Sequence, residues 1–131
     1  MTADLHINHQ RILELTKRGK KFKTIQEHDE YIVARINERV GSEDQLYIIG
    51  DVGKKKDVNW LLDNLKVRDV RLAPGNHDEN ECSMQFLRHS FKVVEHILEH
   101  KFKDTHGVGH RMILCHYPFL VFNQSFRGSY M

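Results

Sequence analysis

Four polar clusters in this 131-residue chain combine the side chains that bind divalent metals. They are Asp4-Leu5-His6, Gly50-Asp51, Gly75-Asn76-His77-Asp78 and His116, and each except the first directly follows an apolar run. The chain contains 10 histidines, and histidine is the commonest metal ligand and the usual proton carrier near neutral pH. Carboxylates, imidazoles and an amide together make a mixed oxygen and nitrogen ligand set, which suits Mn, Fe or Zn better than Ca.

These residue types suit the hydrolysis of phosphate esters. A carboxylate such as Asp51 has two oxygens and can bridge two cations, and cations about 3.5–4 Å apart can clamp the attacking and leaving oxygens of a phosphoryl displacement. A cation also lowers the pKa of its bound water to about 7, which supplies hydroxide as the nucleophile. Gly50 and Gly75 would let the backbone turn sharply where a side chain would collide with a metal or a phosphate.

The elements predicted from hydrophobic periodicity place three of the clusters at strand ends. Helices are predicted over residues 9–18, 25–40, 57–65 and 81–89, strands over 45–50 and 67–73, and a hairpin within 91–115 that turns at 107–109. Asp57 is placed to cap the third helix. Strands and helices alternate before a late hairpin, which predicts an α/β layered domain with a mixed sheet. In such sheets ligands bind beyond the carboxyl ends of the strands.

Composition limits the class of protein. A length of 131 residues predicts a single domain, 1–131. No apolar run approaches 18 residues and the N-terminus lacks the pattern of a secretory signal, so we expect a soluble, cytoplasmic protein with no membrane partner. Two cysteines cannot form a disulfide framework, and a net charge of +2 is too small to indicate nucleic-acid binding by itself.

The order of the motifs resembles that of the calcineurin-like metallophosphoesterases, and most closely their small bacterial and phage single-domain members. Asp-x-His, Gly-Asp, Gly-Asn-His-Asp and Leu-Cys-His-Tyr-Pro occur in that order, and the resemblance covers about Asp4 to Ser129. Asn37, Asp44 and the segment 47–52 also occur where that branch has them. The resemblance implies a layered α/β/β/α sandwich with two mixed sheets flanked by helices.

The resemblance also implies a metal-ligand set. Asp4 and His6 would bind a first divalent cation, and Asp51 would bridge to a second. Asn76 and His116 would bind that second cation. The implied cofactors are therefore two divalent metal ions of the Mn, Fe or Zn class.

The implied catalytic residues are His77 and Asp78. His77 would stabilise or protonate the leaving oxygen, while Asp78 would orient the His77 imidazole and raise its basicity. The implied activity is hydrolysis of phosphomonoesters or phosphodiesters through a metal-activated hydroxide, with a phosphate ester as the substrate. The identity of that ester is not encoded in the ligands, because specificity comes from the shape of the pocket.

The chain departs from the family pattern at both ends. The family's final motif, Gly-His-x-His, gives one histidine to each metal, and this chain has no such motif. His106 and His110 do not replace it, because they precede His116, whereas the family's motif follows that position. Only three residues precede Asp4, roughly half of a usual strand. We therefore expect a domain truncated at its first and last strands: a fragment, a misplaced gene start or a natural short form. Metal binding should be weaker, with the second metal lost or held by water.

Two other functions stay open. The missing motif favours a catalytically weak or inactive remnant of the fold that binds a metal or a phosphate. The basic runs Lys17–Lys23 and Lys54–Lys56 would serve a nucleic-acid-binding protein, but they lack interleaved aromatic residues. Lys54–Lys56 could instead attract phosphate to the site. His9 is either a surface residue or a contact to the substrate phosphate.

Overall fold

The computed structural model describes residues 1–118, in which strands and helices alternate before a terminal hairpin. The helices are α1 (Arg11–Leu15), α2 (Ile25–Arg39), α3 (Lys55–Asn64), α4 (Asn76–Glu81) and α5 (Met84–Ser90), with a 3₁₀ helix at Lys17–Lys20. The strands are β1 (Thr2–Ala3), β2 (Gln45–Ile49), β3 (Asp69–Ala73), β4 (Val93–Val94), β5 (Leu98–Lys103) and β6 (Gly109–Leu114). None of the helices in this range is long and apolar enough to cross a membrane.

Two sheets with different strand directions make up the β structure of the described residues. β1, β2, β3 and β4 lie in that order in a parallel sheet, because each connection between them contains a crossover helix. β5 and β6 pair antiparallel across a tight turn. The predicted α/β class is confirmed. The prediction of a mixed sheet differs from the structure, where parallel and antiparallel strands are separated.

The parallel sheet is buried on both faces, and the two faces follow the alternation of side chains along β2. Leu46 and Ile48 pack into a core shared with the helices, which includes Val33, Val58 and Leu87. The intervening Tyr47 faces the other way and packs with Ala73, Leu98 and Leu114 beneath the hairpin. Residues 1–118 therefore form three layers: helices, the parallel sheet and the hairpin.

Local hydrogen bonds explain where the helices differ from prediction. The predicted helix 81–89 is two helices, because Cys82 is extended and the Ser83 hydroxyl accepts the Phe86 N–H to begin α5. Asp57 lies one turn inside α3, where its carboxylate accepts the N–H of Lys54 at 3.2 Å. It therefore caps the helix from within the first turn.

We expect the core face of β2 to dominate stability. Ile48 is 0% exposed, and Ile48→Ala should lower the free energy of unfolding by about 2–5 kcal/mol because it leaves a cavity. The matched control is Ile97→Ala, since Ile97 is 54% exposed, and its effect should stay within about 0.5 kcal/mol. Urea denaturation measures both. Equal losses in the two variants would contradict the assigned core.

Candidate metal centre

Three loops meet at the carboxyl end of the parallel sheet. They are residues 4–9 after β1, 50–54 after β2 and 74–75 before α4. The first two loops continue the strand pairing beyond the sheet, since the His6 N–H donates to the Asp51 carbonyl at 2.9 Å and the Ile7 N–H donates to the Val52 carbonyl at 2.8 Å. The predicted site residues on these loops are therefore brought to one edge of the sheet.

The Asp51 side chain lies at the centre of this edge and is buried. Its Oδ2 is 3.8 Å from His6 Nε2, and its Oδ1 is 3.8 Å from His116 Nε2. Both separations exceed hydrogen-bond length. Oδ1 also accepts the backbone N–H of His77 at 3.1 Å. Each oxygen of one buried carboxylate thus faces a different imidazole.

Two groups of side chains around Asp51 have the spacing of metal ligands. One contains His6, Asp51 and His77, the other Asp4, Asp51 and His116, and the ligand atoms of each group lie within 4.8 Å of one another. Two atoms that bind one cation at about 2.0–2.2 Å lie at most roughly 4.4 Å apart. Small side-chain rotations would therefore bring each group to coordination distance.

The grouping differs from the expected one in which Asp4 and His6 bind the same cation. The Asp4 N–H donates to the carbonyl of Gly50, and Gly50 lies against the His116 ring. The His6 N–H donates to the carbonyl of the next residue, Asp51. Asp4 therefore joins the group of His116. The expected ligand Asn76 is exposed and is the first residue of α4, next to His77.

His116 is oriented as a metal-binding histidine would be. Its Nδ1 lies 3.3 Å from the Ile49 carbonyl, to which an Nδ1–H can donate, and Nε2 then faces Asp51 unprotonated. A Cβ on Gly50 would collide with the His116 ring, and one on Gly75 would collide with Asp51 Oδ1 and lie 2.8 Å from His116 Nε2. The two glycines are therefore required by the close approach of Asp51 and His116.

The loop after β1 has an unusual backbone conformation. Asp4, His6 and Asn8 have φ angles of 51°, 51° and 58°, and Asp51 on the adjacent loop has 53°. Non-glycine residues in this left-handed region cost about 1–3 kcal/mol each and cluster at functional sites, where surrounding contacts maintain them. Four such residues at one sheet edge indicate a site whose geometry is held by the rest of the fold.

Side-chain contacts to the backbone hold the first loop in this conformation. The Arg18 guanidinium donates to the carbonyls of Asp4 at 2.7 Å and Leu5 at 3.1 Å. On the other side, the Asp29 carboxylate accepts the N–H of Asn8 at 2.8 Å. Arg18 and Asp29 therefore bind the backbone on both sides of His6 in the loop 4–9.

Sequence reasoning missed this network. Arg18 lies in the basic run Lys17–Lys23, which from the sequence was considered only for nucleic-acid binding. A signal was present in α2, where His28 and Asp29 are adjacent at buried positions of an amphipathic helix. His28 Nδ1 lies 2.8 Å from Asp29 Oδ1, and its Nε2 lies 3.2 Å from the Arg18 guanidinium. His28 thereby connects Arg18 and Asp29, the two residues that bind the backbone of the first loop.

Asp78 has a different position from the expected one. Its buried carboxylate accepts the backbone N–H groups of Asp51 at 2.7 Å, Val52 at 2.8 Å and Gly75 at 2.9 Å. It therefore positions Asp51 and joins two loops, rather than orienting the His77 imidazole as the sequence suggested. Burial raises the pKa of the Asp78 carboxyl, and the three N–H donors partly oppose that rise.

Three imidazoles surround the outer side of the site. The ring centres of His6 and His77 are 5.3 Å apart, and His9 lies 5.5 Å from His6 and 6.0 Å from His77. Burial lowers the pKa of the His6 imidazole, which favours the neutral form that binds metals. The Nδ1 of His9 is buried without a hydrogen-bond partner. A buried unpaired nitrogen beside these ligands fits a site that holds a bound group.

The remaining predicted features lie away from this edge or beyond the described residues. His110 contacts Asp104 at 2.9 Å on the hairpin, and His106 is exposed at its turn. The part of the family resemblance from residue 119 to Ser129 lies outside the described residues.

Comparisons with known proteins give one distant relationship. No protein-family model matches the chain, and no solved structure matches it. The chain is similar to the Gene 66 protein of Mycobacterium phage L5, with 28% identity over 106 residues, covering 73% of this chain and 49% of the phage protein. The chain thus spans about half the length of this curated relative.

We expect Asp78→Asn to destabilise the protein. The amide would place an NH₂ group against a backbone N–H donor and remove hydrogen bonds to a charged acceptor, so the free energy of unfolding should fall by about 2–4 kcal/mol. Asp63→Asn is the matched control, because Asp63 is an exposed aspartate on α3. Chemical denaturation followed by circular dichroism measures both variants. An unchanged midpoint for Asp78→Asn would show that the three N–H contacts do not hold the loops together.

Proposed function

We propose that this protein is a metal-dependent phosphoesterase that hydrolyses phosphomonoesters or phosphodiesters. The observation that carries the proposal is the buried Asp51 carboxylate, whose two oxygens each face a separate imidazole. A carboxylate that bridges two cations needs this arrangement. The order of the motifs, which resembles that of the calcineurin-like metallophosphoesterases, supports the same reaction. The proposal includes the layered α/β/β/α sandwich of that family.

The residues around Asp51 fit divalent cations of the Mn, Fe or Zn class. Each group offers carboxylate oxygen and imidazole nitrogen, the donors that these metals accept. His6 would hold a cation on one side of Asp51, and Asp4 and His116 would hold one on the other, while His77 stays free to act as the proton donor. When bound, such cations neutralise the charge of a phosphate and activate water as a nucleophile.

The protein's own residues would orient the ester and move the proton. The exposed His77 imidazole lies at the rim of the site, where it can donate a proton to the departing oxygen. Its backbone N–H donates to Asp51 Oδ1, which fixes the start of α4 against the carboxylate. Asp78 and Arg18 act as positioning residues, because they bind the backbone of the loops that contain the ligands.

A binding protein without turnover is the second candidate function. Each group of metal-ligating side chains within residues 1–118 contains three residues, and both groups depend on Asp51. One cation with three protein ligands, or a phosphate beside it, would satisfy this set without supporting hydrolysis. The number of cations bound and the presence of turnover distinguish the two functions.

Metal binding should depend on Asp51. Titration calorimetry with Mn²⁺ should give two binding events for the wild-type protein, and Asp51→Asn should weaken both by about 100-fold or more because it removes the shared charge. Asp63→Asn should bind as the wild type does. A single weak event without turnover would instead support the binding protein, and Mn²⁺ binding unchanged by Asp51→Asn would contradict the proposed centre.

Turnover should depend on His77. With Mn²⁺ added, the protein should hydrolyse a chromogenic phosphodiester or monoester, and His77→Ala should lower kcat by about 10²–10⁴-fold because the proton donor is lost. His106→Ala, which removes an exposed histidine of the hairpin turn, is the control and should leave kcat unchanged. If the wild type turns over no faster than His77→Ala, the proposed activity is wrong.

A further inference from the structure

A cavity of about 250 Å³ opens beside His77, and its lining does not include His116. Its wall includes Asn8 and His9 from the loop after β1, and Lys54 and Lys56 from the start of α3. This cavity is smaller than the pockets of about 300–1,000 Å³ that enclose whole ligands. It has room for one part of a substrate and lies next to the residue proposed to protonate the departing oxygen.

The charged groups of this cavity are unequally available to a ligand. The Asp57 carboxylate is buried, and its two oxygens already accept the Asn8 amide at 3.0 Å and the Lys54 backbone N–H at 3.2 Å. The Lys54 ammonium contacts only Glu81 among the described carboxylates, at 3.9 Å, and both side chains are exposed. Exposed pairs of this kind contribute little stability, so an incoming anion can displace Glu81.

We infer that this cavity is the subsite for the leaving group of the substrate and that Lys54 selects a leaving group with a negative charge of its own. The inference rests on the proposed phosphoesterase function. The Lys54 ammonium already contacts one carboxylate, that of Glu81. The charged part of the leaving group would bind where the Glu81 carboxylate now lies. The imidazoles of His9 and His77 line the same space and add polar contacts for a phosphate, carboxylate or hydroxyl group.

The three consecutive lysines provide a matched control within one turn of the chain. The Lys55 ammonium lies over the Phe86 ring, 5.5 Å from its centre, and does not line the cavity. Lys54→Ala and Lys55→Ala remove the same charge from adjacent positions. A general electrostatic effect would be equal in the two variants, whereas a subsite would respond to Lys54→Ala and not to Lys55→Ala. Glu81→Gln removes the competing carboxylate and should act in the opposite direction.

The test uses two aryl phosphates that differ in the charge of the leaving phenol, 3-carboxyphenyl phosphate and 3-carbamoylphenyl phosphate. With Mn²⁺ bound, the wild type should show a KM about fivefold to tenfold lower for the carboxylated ester. Lys54→Ala should remove this preference, Lys55→Ala should retain it and Glu81→Gln should increase it. Binding of the free phenols, 3-hydroxybenzoate against 3-hydroxybenzamide, measured by calorimetry, should follow the same pattern without turnover.

The outcomes separate this inference from the proposed function. Hydrolysis of both esters with equal KM, or equal losses in Lys54→Ala and Lys55→Ala, would overturn the subsite and leave the phosphoesterase intact. No hydrolysis of either ester, together with Lys54-dependent binding of 3-hydroxybenzoate, would overturn the phosphoesterase and leave an anion site. Binding of neither phenol would overturn the subsite whatever the turnover.

Discussion

The burial of the Asp51 carboxylate is the constraint on which the candidate site depends. A buried carboxylate is strongly unfavourable unless charges or hydrogen bonds compensate it. Asp51 is 5% exposed, and its side chain accepts one backbone N–H while the two nearest imidazole nitrogens stay 3.8 Å away. The Asp51 carboxylate is thus buried beside two imidazole nitrogens that are too far away to hydrogen-bond to it. A divalent cation could be held between these side chains, and it would compensate the burial of the carboxylate.

The structure around Asp51 is stabilised by other buried acids acting on the backbone. Asp78 binds three N–H groups of two loops, and Asp29 binds the N–H of Asn8 on the third. These bonds hold Asp51 and Asn8, two of the four residues in left-handed conformations, and Arg18 binds the carbonyl of a third, Asp4. Since Asp29 and Asp78 act through main-chain atoms, they set the direction of the ligand side chains without contacting a substrate. The buried acids beneath the site therefore hold its three loops together.

Much of the fold could be predicted from the sequence, because hydrophobic periodicity reports burial directly. The strand at Gln45–Ile49, the helix at Ile25–Arg39 and the late hairpin follow the predicted pattern. The approach of His116 to Asp51 was also predicted, since both residues follow strands, although His116 reaches Asp51 from the end of β6 in the other sheet. The role of Asp78 could not be predicted, because its partners are backbone N–H groups 26 and 27 residues away, and any sequence supplies such groups. The division of Asp4 and His6 between the two groups was equally hidden, since the loop that contains them turns through left-handed φ angles.

The proposed chemistry and the inferred selectivity belong to different elements of this fold. Of the side chains proposed to bind metals, Asp4, His6 and Asp51 lie just beyond β1 and β2, where main-chain pairing fixes the loops, and His116 follows β6. Lys54 and Glu81 instead lie at a helix start and a helix end, exposed and bound to each other weakly. Under the proposed function, substitutions at Lys54 or Glu81 would therefore change which ester is bound without disturbing the buried acids that hold Asp51. If hydrolysis is the activity, its substrate is encoded at these exposed positions, which the motif order does not describe.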